Sequence, residues 1–218
     1  MFRSTSFVLA LVLGTAAADA AVTTNAPEKQ QLVYRVQHST YGNLGTYTNT
    51  IERNGEETKV TTDGKFSFSV LGFSLFSQNI SRVETWRNGR IVAFQGVTTR
   101  NGESVELSGM AEGDSFVMMT PEGDTIAPAN VRIANPWSLE SIEGSAMLTP
   151  DRGRLETVTL SEKDPVTLTI RGRKVPSTHY EVQRGGPRRY DVWLDDSGTP
   201  VQFALVSPDN TITFTLEK

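Results

Sequence analysis

The sequence predicts an all-β protein built as a curved antiparallel meander sheet, half open or closed like a barrel, with one short helix. Three observations carry that prediction. Asn-Gly and Asp-Gly dipeptides (Asn54-Gly55, Asp63-Gly64, Asn88-Gly89, Asn101-Gly102) punctuate the chain, and these readily take the positive φ of tight hairpin turns. The runs between them alternate apolar and polar residues, which sorts side chains onto two faces of a strand. The hairpins follow one another along the chain, and many long sequential hairpins favour a strongly curved sheet over a flat sandwich. Roughly ten to thirteen strands are expected.

In chain order, residues 1–20 read as an export signal. Arg3 is a positive start, Phe7 to Ala18 an apolar stretch of small and aliphatic residues, and Ala18-Asp19-Ala20 a cleavage site. The apolar run is shorter than the roughly 20 residues a bilayer span needs. A secreted or periplasmic protein that does not span the membrane is therefore expected, starting at Ala21. Residues 21–31 read as a loose polar lead-in, and 32–218 as one β-rich domain. The chain has no cysteine and a net charge of −4. That excludes disulfides, thiol chemistry and a lipid anchor on cysteine, and leaves no global field to draw nucleic acid.

Leu32, Tyr34 and Val36 alternate with polar residues, and Tyr41 to Gly45 turns the chain. Across Asn54-Gly55, pairing puts Tyr47, Ile51 and Val60 on a dry face and Thr46, Thr48, Glu52, Lys59 and Thr61 on a wet one. Asp63-Gly64 reads as the next turn, before Phe66, Phe68 and Val70. The alternation slips at Leu71-Gly72-Phe73, a sign of a bulge or bend; an amphipathic helix there is the competing assignment, disfavoured by the glycine and the serines.

The hairpin Arg82 to Phe94 turns at Asn88-Gly89. A two-residue loop assigns Val83, Val92 and Phe94 to an apolar face that Val105 and Leu107 join after the turn at Asn101-Gly102. Arg82, Glu84, Trp86, Ile91, Ala93 and Gln95 fall on the polar-looking face. Further strands are expected at Phe116–Met119 and Val131–Ile133. Asn135-Pro136 reads as an N-cap followed by proline at the first helical position, opening a short helix over Trp137–Glu143 that Gly144 ends. Strands resume at 154–160, 166–174, 178–184, 189–194, 200–206 and 211–216. Tyr190, Val192, Leu194, Val201, Phe203 and Leu205 share one face there, with Trp193, Asp191 and Gln202 opposite.

Val70-Leu-Gly-Phe73, Glu84-Thr-Trp-Arg-Asn-Gly-Arg90, Asn135-Pro-Trp137 and Val192-Trp-Leu-Asp-Asp-Ser-Gly198 resemble, in order, the landmarks of an exported bacterial family catalogued only as a domain of unknown function. The resemblance covers essentially the whole chain after residue 20. The closing Trp-Leu-Asp hairpin is also similar to the ends of envelope half-barrels of the lipoprotein-carrier kind. The resemblance implies location and fold and brings no catalytic residues.

The chemistry-bearing residues are sparse. His38 and His179 are the only imidazoles, and neither has acidic neighbours at ligand spacing, so no metal site is expected. Gly72-Phe-Ser74 lacks the second glycine of a nucleophile elbow. Asp195-Asp196 reads as a turn. No Gly-rich phosphate loop is present, and no cofactor is implied. Two features remain. Trp86 and Trp193 stand on the polar-looking faces of their hairpins, either buried by curvature and a covering Trp137 segment, or lining, with Ile91 and Trp137, a concave pocket for an apolar ligand. Arg171, Arg173, Lys174, Arg184, Arg188 and Arg189 stand against a lone Glu181, as a solvated face or a docking patch for phosphate head groups or an acidic partner. The sequence therefore points to a secreted or periplasmic protein binding a lipid or other apolar or amphiphilic molecule. An envelope structural or assembly factor working through strand-edge pairing with an envelope protein is the alternative, and a hydrolase comes third.

Overall fold

The computed structural model describes residues 28–70 and 73–218. The export signal and Gly72 lie outside the described residues. Fifteen strands form one mostly antiparallel, curved, open sheet. The first eight are β1 (Glu28–His38), β2 (Gly42–Asn54), β3 (Glu57–Val70), β4 (Phe73–Arg87), β5 (Arg90–Arg100), β6 (Glu103–Glu112), β7 (Ser115–Met119) and β8 (Thr125–Pro128). The other seven are β9 (Arg132–Ile133), β10 (Ala146–Leu148), β11 (Leu155–Ile170), β12 (Arg173–Arg184), β13 (Arg189–Leu194), β14 (Pro200–Val206) and β15 (Thr211–Leu216).

The strand order is β8-β7-β6-β5-β4-β3-β2-β1-β15-β14-β13-β12-β11-β10-β9. From β1 in mid-sheet the described chain winds outward hairpin by hairpin to the β8 edge, and crosses to the β9 edge. It then winds back until β15 pairs with β1, with Val36 opposite Phe214. Only residues 129–131 separate the two edge strands in sequence, so the sheet must curl until its edges come near each other. β9 and β10 form a parallel pair; the other neighbours are antiparallel.

The inner face holds the core. Tyr34, Tyr47, Ile51, Val60, Phe94 and Phe116 come from the outward-winding strands, and Val158, Val182, Val192, Phe203 and Phe214 from the returning ones. At the junction the rings interlock: Phe203 stacks on Phe214 at 4.2 Å and meets Tyr34 edge-on at 5.1 Å. The segment after β9 enters the hollow and packs Trp137 and Ile142 against the sheet.

Five expectations are corrected. Glu28 to Gln31, expected in the lead-in, already pair with Arg53 to Thr50. Asp63-Gly64 makes no turn; it lies within β3, where Gly64 leaves room for the Phe66 ring, whose Cζ would stand 2.9 Å from a Cβ on residue 64. Residues 154–160 and 166–174 are not separate strands. β11 runs unbroken to Ile170, with an irregularity between Glu162 and Pro165, and the turn falls at Arg171-Gly172, both at positive φ.

The helix over Trp137–Glu143 does not form; among the described residues there is none. Ser141 Oγ accepts from the backbone N–H groups of Trp137 and Ser138, and Ser138 Oγ accepts from that of Ser141. In so short a segment these local bonds outcompete a helix whose nucleation is costly.

The fifth correction is the central hairpin, which is inside out. Asn88 and Gly89 do turn it at φ of 50° and 71°. However, the register shifts after Trp86–Ile91, so that Thr85 pairs with Ala93 and Glu84 with Phe94. Val92 is the extra residue of a bulge, and such a bulge moves everything beyond it to the other face. Arg82, Glu84, Trp86, Ile91 and Phe94 therefore all point into the core, while Val83 and Val92 are only partly buried.

Candidate ligand-binding site

Inverting that hairpin buries charge, and the buried charge defines the interior. Glu84 is fully buried. Its Oε1 accepts from Asn135 Nδ2 at 2.7 Å and its Oε2 from Trp86 Nε1 at 3.0 Å. Asn135 is not an N-cap; its amide is the hub of an interior network. Oδ1 accepts from Tyr47 OH at 2.8 Å and from Asn49 Nδ2 at 3.0 Å, and Nδ2 also donates to Thr62 Oγ1 at 3.1 Å. Thr62 in turn donates to Asn49 Oδ1 at 2.7 Å. The network ties the inserted segment to β2, β3 and β4. Desolvation pushes the Glu84 carboxyl up to about 7, with the Asn135 and Trp86 bonds and the Arg82 charge offsetting part of the shift.

Beside this network lies a cavity of about 460 Å³, walled by strands of both halves of the sheet. Its apolar wall includes Tyr47, Phe66, Ile80, Phe203, Leu205 and Ile212. Its charged residues are Arg82, Arg100, Arg152, Arg154, Arg184 and Arg188, against Asp151 and Glu156. Arg184 grips Glu156 with two N–H groups and donates to Tyr190 OH at 2.8 Å, so that pair is spoken for. The turn carrying Asp151 and Arg152 is held by Thr149, whose Oγ1 accepts from the Arg154 N–H at 3.0 Å.

Trp86, Trp137 and Ile91, expected to line a pocket, are core residues at 3%, 4% and 0% exposure, and the cavity wall is made by others. Curvature buries them: the two indoles meet edge-on at 5.9 Å, and the Arg132 guanidinium sits 5.7 Å over Trp86. Trp193 is on the opposite surface, stacked on His179 at 4.7 Å, where His179 Nε2 lies 3.2 Å from Asp191 Oδ1. The six basic residues are not one patch. Arg171, Arg173 and Lys174 lie at one end of β12 and Arg184, Arg188 and Arg189 at the other, roughly 35 Å apart at the rise of an extended strand. Arg189 is engaged with both Asp191 and Glu181.

Alternation grouped Arg82 with Glu84 and Trp86 but assigned that face to the polar side, and it gave Arg82 no role; all three are buried. Val60 pairs with Glu84 and Thr62 with Arg82. An aliphatic residue opposite a charged one on an otherwise dry face was the available signal. Among the described residues no three His, Asp or Glu side chains gather as metal ligands. None of those residues forms a helix long and apolar enough to cross a membrane.

A strongly curved sheet wrapped around an interior hollow is the architecture of β-barrel-like proteins. The family is shown directly: the chain belongs to the family described as a domain of unknown function, DUF6134, whose model matches residues 34–217. The fold is similar to the crystal structure of a beta-barrel-like protein of the domain of unknown function DUF1849 from Brucella abortus. The TM-score is 0.65 at 11% identity, over 88% of this chain and 96% of that one. At that identity the likeness speaks for the fold alone. No curated protein matches the sequence.

Proposed function

We propose that this chain is a secreted or periplasmic binding protein that holds an apolar or amphiphilic molecule in the hollow of its curved sheet. The observation that carries the reading is the cavity of about 460 Å³ with aromatic and aliphatic walls, within the roughly 300–1,000 Å³ typical of small-molecule sites. Natural cores are close-packed, so a hollow of this size, apolar on one wall and charged on the other and open to solvent, is better explained as a place for a ligand than as a packing fault. Strand-edge assembly with a partner is the second reading: β8 and β9 are four and two residues long and short edges resist pairing, but β11 from Thr159 to Ile170 pairs with β12 alone among the described residues and leaves its other edge open.

The test uses protein recovered from the periplasmic fraction, titrated with a fluorophore that brightens in apolar surroundings. Saturable binding at one site is expected. Leu205→Trp, which extends an indole from the half-buried cavity wall into the space, should weaken binding at least about tenfold while moving the Tm little. No saturable binding by the wild type would overturn the reading.

A further inference from the structure

We infer that the ligand is an anionic amphiphile, a single apolar chain ending in a carboxylate or phosphate, and that Arg82 holds its head group. The inference rests on the cavity's being a binding site, and its test separates the two.

Arg82 lines the cavity yet is only 6% exposed. Among the described residues its one side-chain hydrogen bond runs from Nη2 to the neutral Thr98 Oγ1 at 3.2 Å, and its buried Nε meets no acceptor. It makes no ion pair among the described residues. A buried guanidinium is costly unless an anion and further hydrogen bonds compensate it, so an Arg left this way is a half-made contact. Glu84, two residues along the same face, and Asp151 at the cavity favour the Arg82 charge from a distance, but neither hydrogen-bonds or ion-pairs with it. The Glu84 oxygens accept from Asn135 and Trp86 instead.

The site is also shaped to keep Arg82 where it is. Gly96 sits opposite it on β5, and a Cβ there would come 3.1 Å from Arg82 Cγ and 3.0 Å from the Phe94 ring. The glycine therefore leaves the lane that the arginine stem occupies. A planar guanidinium with a free Nε–H matches the fork geometry of a carboxylate or phosphate. Arg100 and Arg188, exposed at the same cavity and without ion pairs among the described residues, add positive potential that draws an anion inward. From Arg82 the wall continues through Ile80, Tyr47, Phe66 and Phe203, an apolar path suited to an alkyl chain.

Binding of dodecanoate, dodecyl phosphate and the uncharged dodecanol is measured by calorimetry below their micelle concentrations, for the wild type, Arg82→Met and Arg82→Lys. The wild type should bind at least one anion about tenfold or more tightly than dodecanol, and the tighter anion identifies the head group. Arg82→Met should erase that preference and keep dodecanol binding. In the absence of ligand at pH 5, where Glu84 is protonated and loses no charge partner, it should melt no lower than the wild type because it removes a buried cation without an ion pair. Arg82→Lys should keep a reduced preference. Equal binding of dodecanol and both anions by the wild type, or a preference that survives Arg82→Met, overturns the inference while leaving the cavity as a binding site. A folded Arg82→Lys that shows no preference overturns it equally. Binding of none of the three by the wild type removes the cavity reading itself.

Discussion

Glu84 is a carboxyl group placed where its ionisation costs the fold. Its ordinary value of 4.5 rises to about 7 on burial. An acid with a raised folded pKa binds its proton more tightly folded than unfolded, so the contribution is fully present below pH 4.5 and is lost as pH rises toward 7. The shift corresponds to about 3 kcal/mol across that window. Urea midpoints measured from pH 4.5 to 7.5 should therefore fall in the wild type relative to Glu84→Gln, in which that slope is absent; parallel profiles would contradict it. This residue also shows why the interior was hard to read in the sequence. Alternation divides a strand into two faces without saying which is inside, and charge is the usual guide to the outside. Glu84 and Asn135 defeat that guide because they satisfy each other and are joined by Tyr47 and Asn49 of β2 and Thr62 of β3, partners far away in sequence, while Arg82 defeats it with little more than Thr98 of β5 to bond.

At the level of elements, hairpins joined by two-residue turns were legible, whereas of the bulges only a slip near Leu71-Gly72-Phe73 was expected, and the extra residue of that hairpin is Leu75. Asn88-Gly89 and Asn101-Gly102 both turn the chain where their dipeptides predict, with positive φ at all four residues. The prediction belonging to this scale is that Asn88→Ala with Gly89→Ala destabilises the fold by about 1–3 kcal/mol, since a Cβ penalises left-handed backbone. An unchanged urea midpoint would contradict it. Bulges depend on how the sheet bends. The extra residues at Val92 and Leu75, and the register shift between Val36 and Gln37, sit where strands curl. Glycines cooperate on the inner face: Gly64 lies beneath Phe66 and Gly109 beneath Phe116, whose ring atoms would stand 2.7 Å from a Cβ at residue 109. Rings covering glycines let the concave face tighten without leaving a void. The Asp63-Gly64 pair looked like turn chemistry for the same reason it is bend chemistry, namely the missing side chain.

The whole molecule is two runs of mostly sequential hairpins joined in the middle of the sheet by its first and last strands, so its longest-range contact is also its keystone. β1 meets β15 across almost the entire described chain, and the wall of the cavity spans that seam through Val36, Phe203 and Ile212. Neighbouring hairpins close short loops and form early, whereas contacts of high sequence separation carry the larger entropy of loop closure and form last. The β1–β15 seam should accordingly form after the rate-limiting step. Tyr34 tests this cleanly. It is fully buried on β1, and its hydroxyl donates to the Pro200 carbonyl at the start of β14 at 2.8 Å. Tyr34→Phe removes that bond between buried groups and should cost about 1–2 kcal/mol. Because the contact is absent from the transition state, the loss should fall almost wholly on the unfolding rate, raising it roughly 5- to 30-fold while the slowest refolding phase changes by less than about twofold. Stopped-flow rates across a urea series decide the matter. A refolding rate that falls by the full equilibrium amount would place the seam in the folding nucleus, and the two halves would then assemble around it.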